Sequence, residues 1–241
     1  MILNCRCAWL FVAIFLISGC GKAKPEKKEP PWKRYNAESG IIKYKIEGSQ
    51  EGTETVYFDR WGMREARYSK VREMAQENAP VANRLAILDG DDMIYADLDR
   101  KTAVKRPNLL TLMTETEVPE GSAILEEVVM TRMGGKLVGK EEIAGYPCDL
   151  WEVQKMAMKA CLWQWVPLRV ESLSDQNAFI LTATRVEINP VIPENLFSLP
   201  QDIQVIEKQD VDDVYFKAPN DSKPPSEESP QESQSQNPGE V

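Results

Sequence analysis

Residues 41–48 read IIKYKIEG, with Ile42, Tyr44 and Ile46 on one face of an extended run and charged side chains between them. Alternation with a period of two marks a half-buried strand. A turn over 48–52 leads at once into a second run over 53–60, which ends at Trp61 and Gly62. Residues 85–89 are joined by Asp89-Gly90-Asp91-Asp92 to a run over 93–98, and Asp99 with Arg100 leads on to 101–106. Connections this short cannot hold a parallel crossover, so these runs pair as antiparallel hairpins. Further runs follow at 136–143, 148–153, 158–165, 168–172 and 178–188, about ten strands in all.

One segment departs from the pattern. Residues 107–134 carry Leu109, Leu110 and Met113, then Ile124, Leu125, Val128, Val129 and Met133, at helical spacing. Ser122 is placed to cap a helix over 122–133, and Gly134 with Gly135 to stop it. The expected fold is therefore mainly β, of the α+β kind: a curved antiparallel sheet or incompletely closed barrel, with a central helical insertion as lid.

The length, 241 residues, fits one domain with appendages, and the net charge of −9 sets it against nucleic acid, which needs a basic face. Histidine is absent from the whole sequence, which removes histidine triads and the commonest zinc ligand together. The acidic run at 89–92 lacks the order and distal glutamate of a calcium loop and reads as a hairpin turn. No catalytic residue, metal ligand or cofactor is expected, and the chain is not read as an enzyme.

The first 19 residues read as a targeting signal, with Arg6 as the positive start, an apolar run over 8–17, and small Ser18 and Gly19 before Cys20. Leu16 or Ile17, the two small residues and Cys20 together resemble the bacterial lipoprotein box. That resemblance implies acylation of Cys20, a mature chain beginning there, and a contact with the membrane through its acyl chains. The other reading is an ordinary signal peptide with a chance cysteine. Gly21 stands where enteric lipoproteins kept at the inner membrane carry aspartate, so the implied address is the cell envelope, at the outer membrane facing the periplasm. Residues 20–38 form the acylated start and a basic, proline-rich tether, and residues 207–241 a C-terminal extension, disordered from about 217.

Cys5 and Cys7 would leave with the signal, so Cys148 and Cys161 remain as a pair in an oxidising compartment. An even-length hairpin loop centred between Gln154 and Lys155 sets these two directly opposite each other, within disulfide range. Since Gln154 and Lys155 suit a two-residue turn poorly, a four-residue loop is expected. Leu150, Trp163 and Trp165 then share the cysteine face, and Trp151 and Leu162 point the other way. A redox-active or metal-binding pair is the alternative, without the C-x-x-C spacing.

The order of strands and helix resembles the fold of the Lol lipoprotein carriers. The resemblance is borne by residues 44–68, 85–105, the helix at 122–133, GKEEIAGYPCDLWEV, LWQWVPLRVES and the ending PVIPENLFSLP at 190–200. It covers a domain over 39–206 and lies nearest to lipoproteins of an uncharacterised domain family. It implies a greasy concave face that binds an apolar ligand, such as lipid or the acyl chains of lipoproteins, in a role such as outer-membrane lipoprotein sorting. The alternative is an envelope scaffold or sensor whose barrel is filled by its own side chains. No ligand-contact residue or oligomeric state follows from the resemblance.

Overall fold

The computed structural model describes residues 32–75, 77–108, 124–172, 174 and 178–207. The signal segment, Cys20, Ser122 and the extension beyond 207 lie outside the described residues. The chain divides into Met1–Pro30 and Pro31–Val241, and the fold below belongs to the second unit.

Strands β1 (Gly40–Gly48), β2 (Gln50–Asp59), β3 (Arg64–Glu73), β4 (Ala82–Asp89), β5 (Asp92–Asp97) and β6 (Thr102–Pro107) precede the helix α1 (Leu125–Arg132). Strands β7 (Lys136–Ile143), β8 (Tyr146–Val153), β9 (Met158–Trp163), β10 (Val166–Ser172), β11 (Phe179–Ile188) and β12 (Gln204–Glu207) follow. All twelve join one open sheet in the order β12-β6-β5-β4-β3-β2-β1-β11-β10-β9-β8-β7. The expected mainly-β, unclosed architecture with a helical insertion is what forms. It differs in being mixed, because β12 runs parallel to β6.

The sheet coils strongly at one end. Arg169 on β10 pairs with Glu141 on β7 at 2.7 Å across the two strands between them, and a flat sheet would set β7 about 19 Å from β11. β7 also returns to within 8 Å of β11, without hydrogen bonds to it.

Two strands escaped the sequence pattern. β3 reads REARYSKVRE and buries Arg64 and Glu65 as well as Ala66, so charge occupies inward positions and hides the alternation. β12 is four residues of an edge strand, with Val205 and Ile206 half exposed.

The apolar core has three parts. Tyr35, Ile42, Tyr44, Val56, Phe58, Cys148, Cys161, Val166 and Leu168 fill the curl formed by β1, β2 and β7–β11. On one face of β3–β6, Ala66, Leu85, Ile87, Ala96 and Ala103 are covered by the returning segment that carries Ile192, Phe197, Leu199 and Ile203. Val153, Ala160 and Leu162 pack with Trp151 against Met130 of α1.

The expected tether over 20–38 gives up its last residues to the fold. Tyr35 and Ala37 are buried, at 1% and 4% exposure, so the domain boundary lies before residue 39. The helix is shorter than the expected 122–133. Its N-terminal flank is Ile124 in extended conformation, and Leu125 N donates to Lys33 O at 2.7 Å, so a backbone carbonyl serves where a serine side chain was expected. The C-terminal stop forms as anticipated. Gly134 takes φ +76°, and Gly135 N donates to Met130 O at 2.9 Å.

Cys148 and Cys161 form a disulfide with Cα atoms 5.4 Å apart. The register differs from the expected one. Leu150, not Cys148, stands opposite Cys161, because the four-residue loop spans 154–157 and its last residue, Ala157, takes a left-handed conformation at φ 46°. The centre of the hairpin shifts by one residue and the pairing by two, so the side chains keep their faces. Leu150, Trp163 and Trp165 accordingly pack with the cysteines, and Trp151 and Leu162 with the α1 side, while Trp165 touches both clusters.

The bond closes a loop over a separation of 13 residues. In the loop-entropy account this contributes about 3 kcal/mol. Replacing both cysteines by alanine is expected to lower the unfolding free energy by about that amount, read as a reduced urea midpoint, with a reductant doing the same to the unmodified protein.

Candidate functional site

The segment before β1 works as a latch. Arg34 N and Tyr35 N both donate to Trp61 O at 3.0 Å, and Trp61 N donates to Glu38 O at 2.9 Å. This holds the β2–β3 turn, where Arg60 and Trp61 adopt φ of 51° and 58°. Such values are unfavourable for residues with a Cβ and persist where surrounding contacts fix them. At the next position, Gly62, a Cβ would strike the Tyr35 ring. Asn36 N donates to Gln164 O at 2.9 Å in the β9–β10 turn, so one short segment ties together turns from the two halves of the sheet.

Side chains complete the latch around Glu65. Its Oε2 accepts from Tyr35 OH at 2.7 Å and from Arg34 Nη1 at 3.3 Å, while its Oε1 accepts from Arg67 Nε at 2.6 Å. Arg34 Nε also donates to Glu126 of α1 at 2.9 Å, and Arg67 Nη1 to Glu54 of β2 at 2.9 Å. Burial by itself would raise the Glu65 pKa. The guanidinium groups of Arg67 and Arg34 and the Tyr35 hydroxyl outweigh it and bring the value down to about 2. Tyr35 and Tyr44 are pushed upward, first by burial, and so stay neutral hydrogen-bond donors.

Beside Arg67 the open face of β2–β6 forms a groove of about 560 Å³. Strand register builds it from two rows. Arg67, Ala86, Tyr95, Val104 and Ile206 stand opposite one another in turn across β3, β4, β5, β6 and β12. Glu54, Ser69, Arg84, Asp97 and Thr102 form the parallel row. One row is thus apolar beyond Arg67, and the other is polar, with charges of both signs. The small residues Ala86 and Ser69 leave the depression, and Tyr95 stays 39% exposed in it. The opposite face of the same strands is the one sealed by the C-terminal return, so these strands are apolar-backed and open on one side only.

The residues expected to carry function are not in this groove. Cys20 lies outside the described residues, and the Cys148–Cys161 bond is buried in the curled half, away from the groove lining. Two of the three carboxylates of the 89–92 turn serve ion pairs, Asp89 with Arg60 at 3.3 Å and Asp92 with Lys105 at 2.9 Å. Sequence reasoning passed over Arg34, Glu65, Arg67 and Glu54. The signal for them was charge at 65 and 67, two apart in REARY, on the face that Val56 and Phe58 bury across the β2–β3 pair.

No family model matches the chain, and no curated protein does. Among solved structures it is similar to an uncharacterised conserved protein from Thermus thermophilus, with 12% identity, 72% of this chain and 92% of that one covered, and a TM-score of 0.47. It is also similar to MucB, with 12% identity, coverage of 72% and 61% respectively, and a TM-score of 0.38. LprF from Mycobacterium bovis aligns at 11% identity over 65% of this chain and 88% of its own, with a TM-score of 0.32. At these values nothing about ligand or partner passes from those proteins to this one.

The depressed Glu65 pKa gives a signed pH dependence. A carboxylate at about 2 in the fold, against an ordinary 4.5, contributes stability that is present above pH 4.5 and lost as pH falls towards 2. Urea midpoints measured over that window are expected to fall. Glu65→Gln should be less stable near neutrality by about 3 kcal/mol, since it leaves buried guanidinium groups short of a charge, and should show a shallower fall in acid.

Proposed function

We propose that this chain is a membrane-anchored lipoprotein of the bacterial envelope that binds an apolar ligand, lipid or the acyl part of a lipoprotein, in the groove over β2–β6. The observation that carries the reading is the open groove itself. Its volume of about 560 Å³ lies within the range of small-molecule sites. Its paired rows suit an amphiphile, with chain against Ala86, Tyr95, Val104 and Ile206 and headgroup towards Arg84 and Asp97. The anchor rests on Cys20 and the lipoprotein-box pattern around it. Attachment at the outer membrane facing the periplasm, and a part in lipoprotein sorting, are the finer parts of the same proposal.

A packed core favours a second reading, that of an envelope scaffold or sensor. Tyr35, Phe58, Ile42, Val166, Leu168 and Cys161 are fully buried in the curled half, so that half is filled by its own side chains. On this reading the groove receives part of another protein instead of a lipid.

Protein beginning at residue 20 with Cys20→Ala separates the two. Mass spectrometry of organic extracts is expected to find co-purified lipid, and a fluorescent fatty acid is expected to bind saturably. Ala86→Trp, which fills the apolar row, should weaken that binding at least about tenfold. Absence of extracted lipid and of saturable binding would remove the lipid reading and leave the scaffold.

A further inference from the structure

Three parts of the chain converge at the end of the sheet away from the groove. α1 ends at Arg132 and turns through Met133, Gly134 and Gly135 into β7. The first residues of β7 pair with the last of β8, Lys136 opposite Glu152 and Leu137 opposite Trp151. β8 then runs into the turn over 154–157 that carries Lys155 and Met156. Met133, Leu137, Val138 and Met156 are 37%, 53%, 50% and 50% exposed at this tip. Single exposed apolar side chains are ordinary, but four long ones from three adjacent elements form a patch. β7 is an edge strand, and the register shift between Leu137 and Gly139 leaves Val138 without an opposed residue on β8.

The exposed charge around it is mainly basic. Arg132, Lys136 and Lys155 are exposed around the patch, with Lys159 partly so. Among the described residues Glu152 stands in register between Lys136 and Lys159, and Glu171 opposes Lys159 on its other side. This basic excess belongs to a chain whose net charge is −9. Two copies meeting through this same tip would set one basic ring against another and repel. A surface of anionic lipid headgroups gains from both parts, the apolar side chains entering the headgroup boundary and the cations meeting phosphates.

We infer that this tip, Met133, Leu137, Val138 and Met156 with Arg132, Lys136 and Lys155, docks the folded domain on an anionic bilayer surface. Chain geometry agrees with that placement. The described fold begins beside the first turn of α1, where Lys33 O accepts from Leu125 N, and an eight-residue helix carries the chain only about 12 Å to the tip. Residues 21–31 can extend up to about 36 Å, so an acylated Cys20 and the tip can engage the same membrane. The inference stands apart from ligand binding in the groove.

The test uses protein beginning at residue 20 with Cys20→Ala, so that no acyl chain contributes, in co-sedimentation with phosphatidylethanolamine vesicles with and without phosphatidylglycerol. Binding to the phosphatidylglycerol vesicles is expected to exceed binding to the neutral ones at least about tenfold and to weaken with salt. Leu137→Glu with Met156→Glu, and separately Lys136→Glu with Lys155→Glu, should each reduce it about tenfold, with unchanged circular dichroism and thermal midpoint as the check on folding. Ala86→Trp in the groove should leave it unaltered, so that failure of groove binding and failure of docking are read separately. Equal binding to both vesicle types, no binding, or unimpaired tip variants would overturn the inference. So would a concentration-dependent dimer that Leu137→Glu dissolves, which would assign the patch to a second copy.

Discussion

A single buried carboxylate sets the arrangement of the rest. Glu65 receives hydrogen bonds from Arg34, Tyr35 and Arg67, and thereby binds the segment before β1 to the start of β3. Arg34 passes the connection on to α1 through Glu126. The neighbouring residue, Arg64, faces the other way and pairs with Asp59 and with Glu194 of the C-terminal return, its guanidinium 4.2 Å above the Phe197 ring. Two successive residues of one strand thus clamp both ends of the described domain onto opposite faces of the sheet. A buried charged network is weak evidence for stability as such, because desolvation offsets much of the attraction. Here the network fixes where the entering and leaving segments lie, and every buried side-chain polar atom among the described residues has a partner.

Those placements explain why one half of the sheet is filled and the other open. The latch inserts Tyr35 edge-on to Phe58, with ring centroids 5.0 Å apart, and the curl of β7–β11 closes the remaining space with Val166, Leu168 and the disulfide. Over β3–β6 the C-terminal return takes the opposite face, and no described segment crosses the groove. Small residues along its rows keep it concave. The same clamp that completes one core therefore leaves the other surface available.

How far the sequence disclosed this depends on which forces wrote each part. Strands β1, β2 and β4–β11 were legible because alternation and short turns are local. The C-terminal glycines of α1 were legible for the same reason. β3 was not, because its inward positions hold Arg64 and Glu65, whose burial is permitted only by partners up to 130 residues away. The faces of the cysteine hairpin were read correctly and its register was not, since the left-handed Ala157 moves the loop by one residue without altering parity. The groove could not be read at all. It depends on side-by-side rows from six strands, including a parallel β12 that reaches its place only by a long return. The tether was drawn too long because proline and charge around residue 30 conceal that Tyr35 is fully buried and Arg34 buried beside it.

An open groove constrains how a ligand there can behave. A chain lying against Ala86, Tyr95 and Val104 keeps one flank in water, and each methylene left exposed forgoes up to about 0.8 kcal/mol relative to full burial. Such a site holds an amphiphile less tightly than a closed barrel and releases it faster, since most differences in affinity reside in dissociation. Fixed to a membrane, a protein of that kind suits brief receipt or sensing better than long transport through water, where a sealed interior is needed. The filled curl and the open groove therefore point in the same direction as the proposed anchor at Cys20.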